Sequence, residues 1–140
     1  MKILENAKFA NAFNPADTNG AKTDGPGINV SDCGFATLVI NIGNIAANAS
    51  LFNVEESADN VTYTVVTGGS FASPTAADSD NKTFVAFVPC GGVRKKWLRA
   101  TITGGAGATL IGGTWILEPI SQSPNTTAER GAAETLFITA

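Results

Sequence analysis

Trp97-Leu98-Arg99-Ala100-Thr101-Ile102-Thr103 alternates without a break, with Trp97, Arg99, Thr101 and Thr103 on one side and Leu98, Ala100 and Ile102 on the other. A period of two over seven residues is the pattern of a strand with one face in a core, and the aliphatic side is the core side. The same grammar continues in both directions. Upstream, Thr83-Phe84-Val85-Ala86-Phe87-Val88 ends at Pro89-Cys90-Gly91-Gly92. Downstream, Gly104-Gly105-Ala106-Gly107 turns into Ala108 to Glu118, where Gly112-Gly113 predicts a bulge or a close approach of backbones.

Nearer the amino terminus, Phe35 to Ile42 sets Leu38, Ile40 and Ile42 against Thr37, Val39 and Asn41, and Gly43-Asn44 breaks it. Leu51 to Glu56 alternates Phe52 and Val54 with Asn53 and Glu55. Ser57-Ala58-Asp59-Asn60 then supplies a turn, and Val61 to Val66 returns as the hairpin partner. A loop of small and polar residues, Thr67 to Asp80, follows. No segment carries a convincing helical stripe. The expected fold is all-β: an antiparallel β-sandwich or a jelly-roll or barrel of about six to eight strands.

Residues 31–118 form the expected β-domain, between an N-terminal extended arm over 1–30 and a C-terminal arm over 119–140. Both flanks are punctuated by Pro and Gly and lack periodicity, yet they carry apolar residues: Phe9 and Phe13 on one side, Leu136, Phe137 and Ile138 on the other. Two readings stand: the arms dock on neighbouring chains, or they pair with the parent sheet as edge strands.

A chain of 140 residues makes about one domain and needs neither metal nor disulfide to fold. Charged residues are 15% of it, against about 25% in an ordinary soluble domain. So few charges argue that part of the surface is covered, in a homo-oligomer or a docked subunit. A net charge of −3 is too small to suggest wrapping of nucleic acid. The start, Met1 to Phe9, interrupts its apolar residues with charge, unlike a signal peptide, and no stretch reaches the ~18 apolar residues of a membrane span. Synthesis in the cytoplasm is expected, with no membrane partner. The Asn-X-Ser/Thr triplets at Asn29, Asn48, Asn60, Asn81 and Asn125 carry no meaning without secretion.

The sequence holds no histidine, which excludes His-based acid/base catalysis, Ser-His-Asp and Cys-His nucleophiles, and His metal ligation. Glu55 and Glu56 are adjacent, so on a strand they point to opposite faces and do not converge on a substrate. Asp78-Ser79-Asp80-Asn81 resembles the start of a calcium loop but lacks its Gly and its distal Glu. Cys33 and Cys90 fit no zinc spacing; they lie at strand ends where a bridge is geometrically open, while a reducing compartment favours free thiols. No catalytic residue, cofactor or metal is expected. Arg94-Lys95-Lys96, beside Trp97 and Arg99, is the basic cluster. It reads as a solvated loop, as a docking site for acidic groups on a partner protein, or as a contact for nucleic acid, which a single short patch in an acidic chain supports least.

From Phe35 to Glu118 the chain resembles the capsid decoration or cement proteins of tailed-phage heads. The residues that carry the likeness are Gly34-Phe35-Ala36-Thr37-Leu38-Val39-Ile40-Asn41-Ile42-Gly43, Val54-Glu55-Glu56-Ser57-Ala58-Asp59-Asn60-Val61-Thr62-Tyr63, Asp80-Asn81-Lys82-Thr83-Phe84 and Lys96-Trp97-Leu98-Arg99-Ala100-Thr101-Ile102-Thr103. Asn60 stands where Gly is usual, which Asn's tolerance of the left-handed region allows, and the tail beyond Pro119 is longer than the group's short basic ending. The resemblance implies a non-enzymatic protein on the capsid exterior that bridges major capsid protein subunits and resists genome pressure, with homo-oligomers, trimers among them, common in such proteins. Val54 to Tyr63 with Leu98-Arg99-Ala100 also looks like a galactose-binding-like, carbohydrate-binding β-sandwich, whose aromatic platform would come from Trp97, Trp115 and Tyr63.

Overall fold

Leu98, Ala100 and Ile102 are fully buried, so the strand over Trp97–Thr103 faces the core as its alternation predicts. A computed structural model describes residues 6–120 and 126–133. Its strands are β1 (Lys8–Asp17), β2 (Lys22–Asp24), β3 (Ile28–Asn29), β4 (Cys33–Ile45), β5 (Leu51–Ser57), β6 (Thr64–Ser70), β7 (Lys82–Pro89), β8 (Trp97–Thr103) and β9 (Thr109–Pro119). They form two antiparallel sheets that pack together as a β-sandwich. The first, sheet A, has four strands in the order β1-β9-β4-β7; the second, sheet B, has the order β2-β8-β5-β6, with β3 also paired to β8.

Each sheet contributes one side chain in two to the core. From sheet A come Ala36, Leu38, Ile40 and Ile42 of β4 with Ile111, Trp115 and Leu117 of β9. From sheet B come Phe52 and Val54 of β5 with Leu98, Ala100 and Ile102 of β8. Phe52 stacks on Phe71 at 4.5 Å between ring centroids and meets Phe84 edge-on at 5.4 Å, joining the sheets at one end. At Gly113 the approach is close: a Cβ there would sit 2.9 Å from the Val39 carbonyl oxygen and 2.2 Å from Ile40 Cδ1.

The N-terminal arm expected over residues 1–30 is corrected over the part described. β1 pairs with β9 along sheet A, and β2 and β3 pair with β8 along sheet B, so this segment edges both sheets of its own domain. Its periodicity is broken because β1 carries register shifts between Asn11 and Phe13 and between Phe13 and Ala16. Phe13 is therefore not an interface residue: it is 2% exposed and belongs to the core. At the other end β9 runs to Pro119, and residues 126–133 turn against β1, where Phe9 N–H donates to the Arg130 carbonyl. Leu136, Phe137 and Ile138 lie outside the described residues. The hairpin partner expected from Val61 begins instead at Thr64 and extends to Ser70, because Asp59 holds residues 59–62 in the turn.

Candidate docking surface

The outward face of sheet A follows from the register. Opposite Thr37 of β4 stand Phe87 of β7 and Ile116 of β9, and opposite Ile116 stands Phe9 of β1. One row on, Val39 lies between Val85 and Thr114; one row back, Phe35 lies between Pro89 and Glu118. Phe87 is 76% exposed and Phe35 49%, and Ile120 beside Gly34 is 65% exposed. Toward the other end the rows shrink to Asn41, Gly43 and Gly112, which with Pro15 and Leu110 line a shallow depression of about 450 Å³. Within these rows the charged side chains are Glu118 at one end and Asp17, opposite Leu110, at the other. An apolar, nearly uncharged sheet face of this breadth has the character of a protein-docking surface.

Sheet B turns the opposite character outward. Arg99 Nε donates to Glu55 Oε2 at 2.7 Å, and its Nη1 lies 3.2 Å from Asp24. The Arg99 guanidinium also lies 4.0 Å from the centre of the Tyr63 ring, and the Tyr63 hydroxyl donates to Asn60. Burial pushes the Asp24 carboxyl up, but the Thr101 hydroxyl at 2.6 Å, Lys22 and Arg99 outweigh it and hold the group below its usual range. Burial lifts the Tyr63 phenol. These charges spend themselves on one another and brace β2, β8 and β5. Trp115, one of the three aromatics a sugar platform would need, is fully buried in the core.

The basic cluster is partly consumed inside the molecule. Arg94 lies 3.7 Å from Glu56, whose carboxylate also accepts the Lys95 N–H, and Lys95 Nζ donates to Thr64 Oγ1. Lys96 lies 5.8 Å from the Trp97 ring. The three cations follow β7, and Arg94 lines a groove with Phe87 and Pro89, whereas Phe9 sits on β1 at the opposite edge of sheet A, so the cations and Phe9 do not form one site. The calcium-like segment is also engaged: Asp80 Oδ1 accepts the Ile45 N–H at 2.9 Å, and the Thr75 hydroxyl accepts the Asp78 N–H at 3.1 Å and donates to the Asp78 carboxylate. Among the described residues no group of three Cys, Asp or Glu side chains is placed to hold a metal. Cys33 and Cys90 are free and buried.

Of the residues singled out from the sequence, Phe9 belongs to the apolar face, while Phe35, Val85, Phe87 and Ile116 went unselected. A signal for them existed. Phe84 to Val88 is apolar at every position, which on a strand puts apolar side chains on the outward face as well as the core face. In comparisons with known proteins, no family model and no curated protein matches this chain.

Proposed function

We propose that this protein is a non-enzymatic structural component of a virion, which seats the outer face of sheet A on the major capsid protein lattice of a tailed-phage head and cements it. The observation that carries the reading is the contrast between the faces of the sandwich: sheet A presents Phe35, Val85, Phe87, Phe9 and Ile116, while sheet B presents internally paired charges. The resemblance of residues 35–118 to decoration proteins supplies the identity of the partner. Burying apolar surface against a lattice site that exists only in the assembled shell stabilises the shell by mass action. Many identical sites then add up.

Co-sedimentation with purified empty capsids tests it. Wild-type protein is expected to pellet with capsids, to raise their melting temperature at saturation, and to stay bound at about 0.5 M salt, because an apolar contact is not screened. Phe35→Glu with Phe87→Glu, both on outward positions of intact strands, should abolish binding. No rise in capsid melting at saturation overturns the cementing role. Binding lost in salt but kept in the double variant would move the contact to Arg94, Lys95 and Lys96. Glycan-array binding without capsid binding would favour the carbohydrate-binding alternative.

A further inference from the structure

Sheet edges are where strands from other molecules add, and natural proteins blunt them with charge, proline, bulges or brevity. Three of the four edges here are blunted. β1 carries Pro15 and two register shifts, and its Phe9 N–H is taken by Arg130. The edge formed by β2 and β3 is broken into pieces of three and two residues, the longer with Lys22 and Asp24. β6 has a register shift against β5 and a left-handed Gly68 at φ 75°. β7 has neither a bulge nor brevity, and its Lys82 and Pro89 stand only at its two ends: it pairs with β4 from Lys82 to Pro89 without a shift and carries no charge from Thr83 to Val88.

Alternate residues of β7 carry backbone groups that no described residue takes. Cys90 N–H donates to the Gly34 carbonyl at 2.8 Å, and Pro89 beside it has no N–H to give, so residues 84, 86 and 88 bond to β4. The N–H and C=O groups of Thr83, Val85 and Phe87 therefore point off the sheet. Beneath this edge the sandwich is open toward β6, leaving a groove of about 230 Å³ that Val54, Gly69, Phe71 and Ala86 help to line.

We infer that β7 pairs antiparallel with β7 of a second copy about a twofold axis through Val85, joining the two A sheets into one of eight strands. Charge selects the occupant, since an edge uncharged from Thr83 to Val88 accepts an equally uncharged strand, and β7 itself is one. The register follows from shape. Centred on Val85, it places Phe87 against the partner's Thr83, Phe84 against the partner's Ala86 and Lys82 against the partner's Val88, so large meets small and no like charges oppose. A shift of the axis to residue 86 would put Pro89 opposite Thr83 and lose a hydrogen bond on each side. In the Val85 register the partner's Ala86, on the core side of the strand, lies beside the open groove, while Phe84 of each copy stays in its own cluster with Phe52 and Phe71. The outer face keeps its side chains free, so this pairing is independent of the capsid reading.

Sedimentation equilibrium of the full chain up to about 100 µM, a range that captures micromolar association, should give twice the 14.3 kDa chain mass. Val85→Pro, which deletes an N–H that the domain does not use, should sediment as a monomer with an unchanged far-ultraviolet spectrum. Val85→Cys should form an interchain disulfide under mild oxidation because its partner is itself, whereas Thr83→Cys alone should not. A wild-type monomer over that range, a trimer, or cross-linking of Thr83→Cys in place of Val85→Cys would overturn the proposal. If Val85→Pro misfolds, the two cysteine variants decide. A failure here with capsid binding intact would leave the role of the outer face standing.

Discussion

Asp59 closes the hairpin between β5 and β6 with a single carboxylate oxygen, which accepts from Thr62 N–H at 2.8 Å, Ser57 Oγ at 2.7 Å and Val61 N–H at 2.9 Å. Asn60 beside it takes the left-handed conformation at φ 61° that the turn requires. The Thr62 N–H, then the Ser57 hydroxyl and the Val61 N–H, hold the Asp59 carboxyl far below its ordinary value of 3.8. A folded-state value below the unfolded one means that the folded protein binds fewer protons as pH falls. The stabilisation is complete above about pH 5 and is lost as pH drops through the depressed folded value. Asp59→Asn should therefore lower the urea midpoint at neutral pH, and the gap from wild type should close in strong acid. A gap that stays constant from pH 7 to about pH 2 would show that the charge contributes nothing.

At the scale of elements, Gly25 ties the two sheets at one corner. Its N–H donates to Ala100 of β8 at 2.8 Å, and a Cβ there would lie 2.0 Å from the Ala12 carbonyl of β1. Both neighbours are strand backbone, so neither can turn aside as a side chain would. Gly25→Ala is expected to cost about 3 kcal/mol or more in urea unfolding, or to prevent folding. Gly91, between β7 and β8, has nothing within 4 Å of a built Cβ, and Gly91→Ala should stay within about 0.5 kcal/mol of wild type. Equal losses at the two positions would remove the corner's special role. The elements were legible to different degrees. β8 matched its expected bounds because seven residues alternate without interruption. β1 escaped because its register shifts and Pro15 interrupt the period, and β2 and β3 are too short to show one.

The whole molecule decides the fate of its thiols. Burial pushes Cys90 up to about 11, with Cys33 nearby adding to it, and burial also raises Cys33. Both belong to the core that joins the sheets, so reagent reaches them only when the sandwich opens. Iodoacetamide at about pH 8 should leave the native mass unchanged and add two adducts in denaturant without reductant. Rapid labelling of the native protein would show an open corner. The all-β class, the core faces of β4, β5 and β8, the turn at Asn60 and the lack of histidine chemistry were determined by the sequence alone, because period-two patterning and residue inventory are local properties. The pairing of β1 to β9, the burial of Phe13, the internal use of Arg94 and Lys95, and the gathering of Phe9, Phe35, Phe87 and Ile116 on one face were decided by the tertiary structure. Each depends on which strands lie side by side, and strand neighbours far apart in the chain are chosen by register and packing across the sandwich, which no single stretch of sequence encodes.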